Sequence, residues 1–178
     1  MIFNPKSFGA KADGSHDDTN AIQQAIDKAF FSGGGRIVLK NGVFLSGTIY
    51  LKSNISLEID ASACLLASPD INSYGSDTHH NRYRNESELD RCFIFAENAD
   101  NIELCGNGII NGNAEFFPNS NNIYRPMMIR FLNCRNIRLH DLRLYNSAAW
   151  TTAFLDSERI FISNIDIKNS KNYNGDGL

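Results

Sequence analysis

A four-residue pattern recurs along this chain and limits the folds that it can adopt. Each copy places two apolar residues in alternation after a corner residue, and successive copies begin 47, 35 and 23 residues apart. A unit of about 20–25 residues, made of short strands and tight turns, cannot bury its own apolar side chains, but stacked units can. The repeat therefore predicts a solenoid. The copies are Asn54-Ile55-Ser56-Leu57, Asn101-Ile102-Glu103-Leu104, Asn136-Ile137-Arg138-Leu139 and Arg159-Ile160-Phe161-Ile162.

Two solenoids fit this period, the leucine-rich-repeat horseshoe and the parallel β-helix. The horseshoe needs an Asn at a fixed offset within a Leu-x-x-Leu-x-Leu frame, which the sequence lacks. Ile-x-Leu strands joined by corners with Asn and Gly favour the β-helix. Asn146 and Asn169 lie 23 residues apart, so we expect them to stack as a ladder at one corner. The same pattern predicts an inward stack of isoleucines, formed by Ile55, Ile102, Ile137 and Ile160.

One segment near the N-terminus has a helical period instead. Apolar residues recur every three or four positions from Thr19 to about Phe31, which predicts an amphipathic helix. Asp17 and Asp18 precede it, and capping of the free N–H groups explains both better than an acid–base pair. We expect the helix to cover the open end of the first coil. The chain is then one all-β domain over 1–178, with an N-terminal strand and capping helix in 1–35 and the β-helix coils in 36–178.

Composition excludes several classes of protein. The chain has 178 residues, which is the size of one domain, and its net charge of −3 favours neither nucleic acid nor an anionic membrane. No run of apolar residues reaches the length of a membrane span. The N-terminus lacks the charged and apolar regions of a signal peptide, which predicts a cytoplasmic location. If the true N-terminus is missing, the prediction changes to a secreted or periplasmic location.

The four cysteines do not predict a metal site. Cys64, Cys92, Cys105 and Cys134 show no Cys-x-x-Cys spacing and no neighbouring histidine cluster. Cys64 and Cys134 lie in apolar stretches, so we expect them to be buried thiols. We expect no metal and no cofactor.

The final stretch, Asn174-Gly175-Asp176-Gly177-Leu178, holds the strongest candidate for catalysis. Asn-Gly and Asp-Gly are common turn dipeptides, so a polar turn is the simplest interpretation. Glycines on both sides of an aspartate also allow unusual backbone shapes and close approach of a ligand. The repeat favours the second interpretation, because it places this carboxylate on a coil of the solenoid.

The chain resembles a known family at several points. Phe8-Gly9-Ala10, Asp13-Gly14 and Asp17-Asp18-Thr19 look like the N-terminal segment of pectin-lyase-like right-handed β-helices. Later pieces resemble the polygalacturonases of glycoside hydrolase family 28, whose usual catalytic stretch is Asn-Thr-Asp-Gly-Ile. Here Gly175 and Leu178 depart from that stretch. The pieces are Gly106-x-Gly108-x-Ile110-x-Gly112, Arg125-Pro126, Ser147-Ala148-Ala149-Trp150 and the final stretch.

The resemblance implies an activity and a role for two residues. The activity is hydrolysis of α-1,4-linked galacturonan, an acidic plant-type polysaccharide, by an inverting mechanism with two carboxylates. Asp176 matches one of three catalytic aspartates and would help to hold and deprotonate the water. Asn174 would support it through side-chain hydrogen bonds. The family's Asp-Asp pair, Gly-His-Gly and Arg-x-Lys would follow Leu178, so we expect an N-terminal fragment that is inactive alone. A β-eliminating polysaccharide lyase and a non-catalytic carbohydrate-binding β-helix are the alternatives.

Other candidates have a structural explanation as well as a functional one. Trp150 lies 26 residues before Asp176, about one coil below it, and either stacks on a sugar or packs within the coil. A polar insertion from about Ile71 to Asp90 either walls the groove or is a solvated loop. Its candidates are Asp77, His79, His80, Arg82 and Arg84, and the two histidines lack a third metal ligand at suitable spacing. Glu115 and the Phe116-Phe117 loop are candidates for the groove rim.

Overall fold

The computed structural model describes residues 1–78, 90–119, 124–169 and 175–177. Strands in this part of the chain pair only in parallel and form two sheets, of ten and four strands. The predicted right-handed parallel β-helix is therefore confirmed. Alternating apolar residues cannot be buried by one strand, and stacking of successive coils buries them.

The described elements are one α-helix, fourteen strands and three short 3₁₀ helices. They are β1 Ile2–Phe3, β2 Asp13–Asp17, α1 Thr19–Phe31, β3 Gly35–Leu39, β4 Gly42–Ser46, β5 Ile49–Tyr50, β6 Ile55–Ile59, β7 Ala63–Ala67, β8 Cys92–Glu97, β9 Asp100–Cys105, β10 Ile109–Asn111, β11 Met127–Leu132, β12 Arg135–Tyr145, β13 Thr152–Leu155 and β14 Glu158–Lys168, with 3₁₀ turns at Pro5–Phe8, Ile71–Ser73 and Ala114–Phe116.

From β5 onward, each coil contributes one strand to the small sheet and then continues into the large sheet. The small sheet has the order β13-β11-β8-β5, and the large sheet contains the remaining strands. In the later coils, β12 and β14 are each eleven residues long and run through both halves of the large sheet. Asp141 and Asn164 have left-handed backbone angles within these strands, with φ of 55° and 51°. The bend at these residues turns the large sheet around the core.

The isoleucine stack lies inside the coil, as the repeat predicts. Ile137 pairs with Ile102 on one side and with Ile160 on the other. Ile55, Ile102 and Ile137 are at most 1% exposed. Ile160 packs against the same core but is only partly buried, because it lies on the last described strand of the large sheet. The repeat thus marks the residues that line the core.

Asparagines do stack at a corner, but at a different one from the predicted pair. Asn101 donates from Nδ2 to Asn54 Oδ1 (2.8 Å), and Asn136 donates to Asn101 Oδ1 (3.1 Å). All three have a left-handed backbone, with φ between 54° and 63°. Asn146 is also left-handed, with φ of 53°, but Asn169 is not. Tyr145 pairs with Lys168, so Asn146 and Asn169 do follow in register. The predicted ladder is nevertheless wrong, because the Asn169 amide bonds to Ser147, Thr151 and Gly175 instead of to Asn146.

The cysteine prediction is correct for Cys134 and wrong for Cys64. Cys134 is fully buried, whereas Cys64 is half-buried. Strand β7 alternates between buried and half-buried residues, and Cys64 lies on its outward side between Ala63 and Leu65. Partial burial still raises the pKa of the Cys64 thiol to about 11.

Helix α1 covers the first coil and has the bounds that the apolar period predicts. Its buried face packs against β3 and β5 and contacts β1 and β6. None of the helices in the described ranges is long and apolar enough to span a membrane. The helix therefore acts as an N-terminal cap that shields apolar side chains and strand edges. The buried residues of this face are Ala21, Ile22, Ala25, Ile26 and Ala29.

The two aspartates before α1 have different roles. Asp17 accepts hydrogen bonds from the backbone N and the Oγ1 of Thr19, at 2.9 and 2.5 Å. Asp18 is 1% exposed, and its carboxylate makes no capping bond to the helix. It accepts instead from the backbone N–H groups of Lys11 (2.7 Å) and Ala12 (2.9 Å). The capping prediction holds for Asp17 and is wrong for Asp18, which fastens the N-terminal segment to the helix.

We expect the Asp18→Asn substitution to lower the free energy of unfolding by about 1.5–3 kcal/mol, the range for hydrogen bonds to a charged group. An amide keeps one acceptor and turns its NH₂ group toward a buried N–H donor. Urea unfolding followed by circular dichroism measures the change. Asp17→Asn is the matched control, because Asn and Asp are equally good at helix N-termini and the change should stay within about 0.5 kcal/mol. Equal losses in the two variants would contradict the role given to Asp18.

Candidate active site

Asp176 lies on the next coil of the small sheet, beside the start of β13. The backbone N–H of Thr151 donates to the carbonyl oxygen of Asp176 (2.9 Å). Thr152 Oγ1 donates to the carbonyl oxygen of Gly177 (2.8 Å). The side chain of Asp176 is exposed. The fold thus presents this carboxylate to solvent on a strand-like segment held in register with the coil before it.

A residue that the sequence did not single out for this site fixes the segment. Asn169 accepts at Oδ1 from the backbone N–H of Ser147 (3.0 Å). Its Nδ2 donates to Thr151 Oγ1 (2.7 Å) and to the carbonyl oxygen of Gly175 (2.6 Å). One amide side chain therefore ties two coils to the residue before Asp176. The 23-residue spacing predicts that Asn169 bonds to Asn146, whereas its amide bonds to Ser147, Thr151 and Gly175.

Gly177 packs close to the side chain of Ile167. A Cβ atom at this position would lie 3.3 Å from Ile167 Cδ1, which is closer than most such contacts. Ile167 is one of the apolar residues that pack against the main core. The glycine that follows Asp176 therefore lets the segment lie close to β14.

Trp150 lies one coil below Asp176, as its spacing predicts. Its carbonyl oxygen accepts from the backbone N–H of Met128 (3.1 Å), and the adjacent Thr151 bonds to Asp176. The indole is half-buried and packs against a second, smaller apolar cluster. We call this cluster the aromatic patch, and its members are Tyr50, Cys92, Phe95, Met127, Ala149 and Trp150.

The aromatic patch lies on the outer side of the small sheet. Tyr50 and Phe95 occupy paired positions next to the inward pair formed by Ile49 and Ile94, and successive side chains on a strand point to opposite faces. The rings of Tyr50 and Phe95 meet edge to face with centroids 6.1 Å apart. Complete burial raises the pKa of the Cys92 thiol to about 12, so this thiol is not a nucleophile at neutral pH.

The first described part of the polar insertion lies against this outer face. Tyr50 donates from its hydroxyl to Asp77 Oδ1 (2.5 Å), and burial raises the pKa of Tyr50 above its usual value. Arg130 pairs with Phe95 in the sheet and is fully buried, and its Nη1 donates to the carbonyl oxygen of Thr78 (2.7 Å). The described start of the insertion therefore covers part of the sheet instead of extending into solvent.

The remaining candidate residues differ in burial: some are exposed at the surface, and others are buried and support the coil. Arg125 is buried and donates from Nη1 to the carbonyl oxygen of Ala148 (2.7 Å), so it supports the turn before Trp150. Glu115 and Phe116 are exposed, whereas Phe117 is buried against Tyr74. Five candidates lie outside the described residues, namely His79, His80, Arg82, Arg84 and Asn174.

Comparison with known proteins supports the resemblance. A family described as rhamnogalacturonase A/epimerase, pectate lyase-like, matches residues 2–174. The chain is 30% identical over 192 aligned positions to polygalacturonase-2 of Solanum lycopersicum, an alignment that covers 99% of this chain and 39% of the relative. It is 36% identical over 121 positions to the exo-poly-alpha-D-galacturonosidase of Dickeya chrysanthemi, which covers 63% of this chain and 19% of the relative. The chain thus spans less than half the length of these relatives.

A solved structure shows the same fold. The chain superposes on an exopolygalacturonase from Thermotoga maritima with a TM-score of 0.84 and 24% identity, covering all of this chain and 49% of the other. The parallel β-helix, the capping helix and the matched sequence agree with the resemblance to glycoside hydrolase family 28. With a family match over nearly its whole length, the chain belongs to the rhamnogalacturonase A/epimerase, pectate lyase-like family.

Proposed function

We propose that this chain carries one catalytic carboxylate of a glycoside hydrolase that cleaves α-1,4-galacturonosyl linkages in pectin-type polysaccharide. The observation that carries the proposal is the exposed Asp176, held on the small sheet one coil above Trp150. The polygalacturonases among the relatives make galacturonan the substrate of choice. A carboxylate on a segment that is hydrogen-bonded to a sheet is better placed for catalysis than one on a free loop.

The reaction proceeds with inversion at the anomeric carbon. One carboxylic acid protonates the leaving oxygen, and another carboxylate activates water on the opposite face of the sugar, about 6.5–9.5 Å away. Asp176 takes the second role and removes a proton from the attacking water. Asn169 holds the backbone before it, which limits the movement of the carboxylate.

The sequence of these 178 residues does not contain the second Asp-Asp pair that the family resemblance calls for after Asp176. The one Asp-Asp pair of the sequence is Asp17-Asp18, and both carboxylates have structural partners: Asp17 bonds to Thr19 at the start of α1, and Asp18 bonds to the backbone of Lys11 and Ala12. We therefore infer that the chain alone does not hydrolyse galacturonan. The experiments below use the extended enzyme, which we define as this chain joined after Leu178 to a segment with the family's Asp-Asp pair. That segment comes from the gene itself or from a relative.

The test is the product formed by the extended enzyme from polygalacturonate. Hydrolysis releases new reducing ends, and NMR of the first product identifies the anomer. We expect reducing ends with inverted configuration from the extended enzyme, and none from the 178-residue chain. A product with retained configuration would overturn the inverting mechanism. An unsaturated product that absorbs in the ultraviolet would indicate a β-eliminating lyase instead.

We propose that Trp150 also contacts the substrate, because its indole is half-buried and the next residue, Thr151, bonds to the backbone of Asp176. In the extended enzyme, Trp150→Ala should raise KM for oligogalacturonides about fivefold with little change in kcat, since an aromatic contact is worth about 1 kcal/mol. Phe95→Leu, which alters the aromatic patch at a buried position, is the control and should leave KM unchanged. An unchanged KM in a folded Trp150→Ala enzyme would show that Trp150 only packs within the coil and does not contact the substrate.

The cellular location stays a prediction. Cysteines 64, 92, 105 and 134 are all free thiols in the fold, which is compatible with a reducing compartment.

A further inference from the structure

Three metal-binding side chains meet on the outer face of the large sheet. Glu103 and Cys105 are two residues apart on β9 and therefore share one face of the strand. His140 lies on the neighbouring strand β12, next to Leu139, which pairs with Leu104. A carboxylate oxygen, the thiol sulfur and a ring nitrogen of these residues all lie within 4.8 Å of one another. In sequence, Cys105 and His140 are 35 residues apart, so no motif in the chain predicts the group.

Neighbouring groups already orient two of the three ligands. His140 Nδ1 lies 2.8 Å from Asp141 Oδ2, and its Nε2 lies 3.1 Å from Glu103 Oε1. Asp141 is fixed in turn by Asn164, which donates from Nδ2 to Oδ1 (2.6 Å). A carboxylate bonded to one ring nitrogen holds the other toward a metal in many histidine sites. The arrangement thus supplies the outer support as well as the ligand.

Glu103 is held in a similar way. Ser56 donates from Oγ to Glu103 Oε2 (2.6 Å), and the same Oγ lies 3.9 Å from Cys105 Sγ. This bond occupies one carboxylate oxygen and leaves Oε1 directed at His140. Cys105 is buried, whereas Glu103 and His140 are half-buried. The site therefore has a sheltered sulfur and two ligands that remain open to solvent.

Two arginines share this carboxylate and compete with a cation. Arg36 Nη2 lies 3.5 Å from Glu103 Oε2, and Arg138 Nε lies 4.0 Å from Oε1. Both side chains are well exposed, at 48% and 67%, so they can turn into solvent at little cost. A cleft of about 430 Å³, lined in part by Arg138 and His140, provides a path for an ion.

We propose that Glu103, Cys105 and His140 bind a divalent metal ion of the zinc class. One sulfur, one nitrogen and one oxygen ligand suit zinc, whereas calcium and magnesium prefer oxygen ligands alone. Three protein ligands leave the fourth tetrahedral position for water. On binding, the Cys105 thiol gives up its proton to solvent, because the thiolate is the form that ligates a metal.

This site is separate from the proposed active site. Its ligands lie on β9 and β12 of the large sheet, whereas Asp176 is bonded to the beginning of β13 in the small sheet. Because β9 and β12 belong to successive coils, a bound ion would join two coils of the solenoid. A metal ion that binds the folded state but not the unfolded state would raise the midpoint temperature of thermal unfolding.

The test is a titration of the reduced, metal-free chain with Co²⁺, which reports its ligands through absorption. We expect a thiolate-to-cobalt charge-transfer band in the near ultraviolet, and its loss when Zn²⁺ is added. Cys105→Ser should abolish the band, and His140→Gln should weaken Co²⁺ binding. Asp141→Asn should weaken binding about 10–100-fold while keeping the band, as expected for a residue that orients a ligand.

The controls separate this site from other side chains. Cys64→Ser removes a half-buried thiol from another strand of the large sheet and should keep the band. His79 and His80 carry no sulfur, so any ion bound there gives no thiolate band. Circular dichroism checks that each variant is folded. A band that persists in Cys105→Ser, or its absence from the unaltered chain at saturating Co²⁺, would overturn the proposal.

Discussion

Asp176→Asn should lower the rate of polygalacturonate hydrolysis by the extended enzyme about 10²–10⁴-fold, the usual contribution of a general base. The amide has nearly the shape of the carboxylate but cannot take a proton from water. Since the backbone of residues 175–177 carries the bonds to Thr151, Thr152 and Asn169, the substitution should leave the fold intact. Release of reducing ends gives kcat, and binding of an oligogalacturonide to the variant gives Kd, which should change little.

Asp166→Asn is the matched control for this prediction. Asp166 is an exposed aspartate on β14 in the large sheet, where its Oδ2 accepts from the hydroxyl of Tyr145 (2.5 Å). Loss of that surface bond should leave kcat unchanged. Undiminished hydrolysis by the Asp176→Asn enzyme, or an equal loss in both variants, would remove Asp176 from the role of base.

Ile137→Ala should destabilise the chain by about 2–5 kcal/mol, the range for truncation of a buried isoleucine. Ile137 is fully buried and lies between Ile102 and Ile160 in the stack. Coils on both sides hold the backbone, so the cavity cannot collapse fully. Urea unfolding measures the loss as a lower midpoint with an unchanged slope.

Ile160→Ala tests whether position in the stack sets the size of this effect. Ile160 belongs to the same column, but it is only partly buried. Truncation of Ile160 removes fewer contacts, so we expect the free energy of unfolding to fall by less than half as much as in Ile137→Ala. Equal losses at the two positions would show that the stack is not the source of the stability.

The sequence by itself determined the architecture. The repeat of Asn, Ile and Leu predicts both the solenoid and the inward column, because a period of two within strands and about 23 between coils leaves few ways to bury apolar side chains. The apolar period likewise predicts helix α1 from Thr19 to Phe31, as the structure confirms. The solenoid, the inward column and helix α1 all follow from the spacing of apolar residues along the chain, and that spacing can be read from the sequence alone.

The tertiary structure decided which polar groups meet. Asn169 follows β14 in register with Asn146, yet its side chain bonds to Ser147, Thr151 and Gly175 instead of forming the ladder. Asp18 precedes a helix but bonds to the segment before it. Cys105 and His140 become neighbours only when one coil is placed on the next, in a register that depends on the lengths of the intervening loops. Polar contacts between coils need that register, and the repeat alone does not contain it.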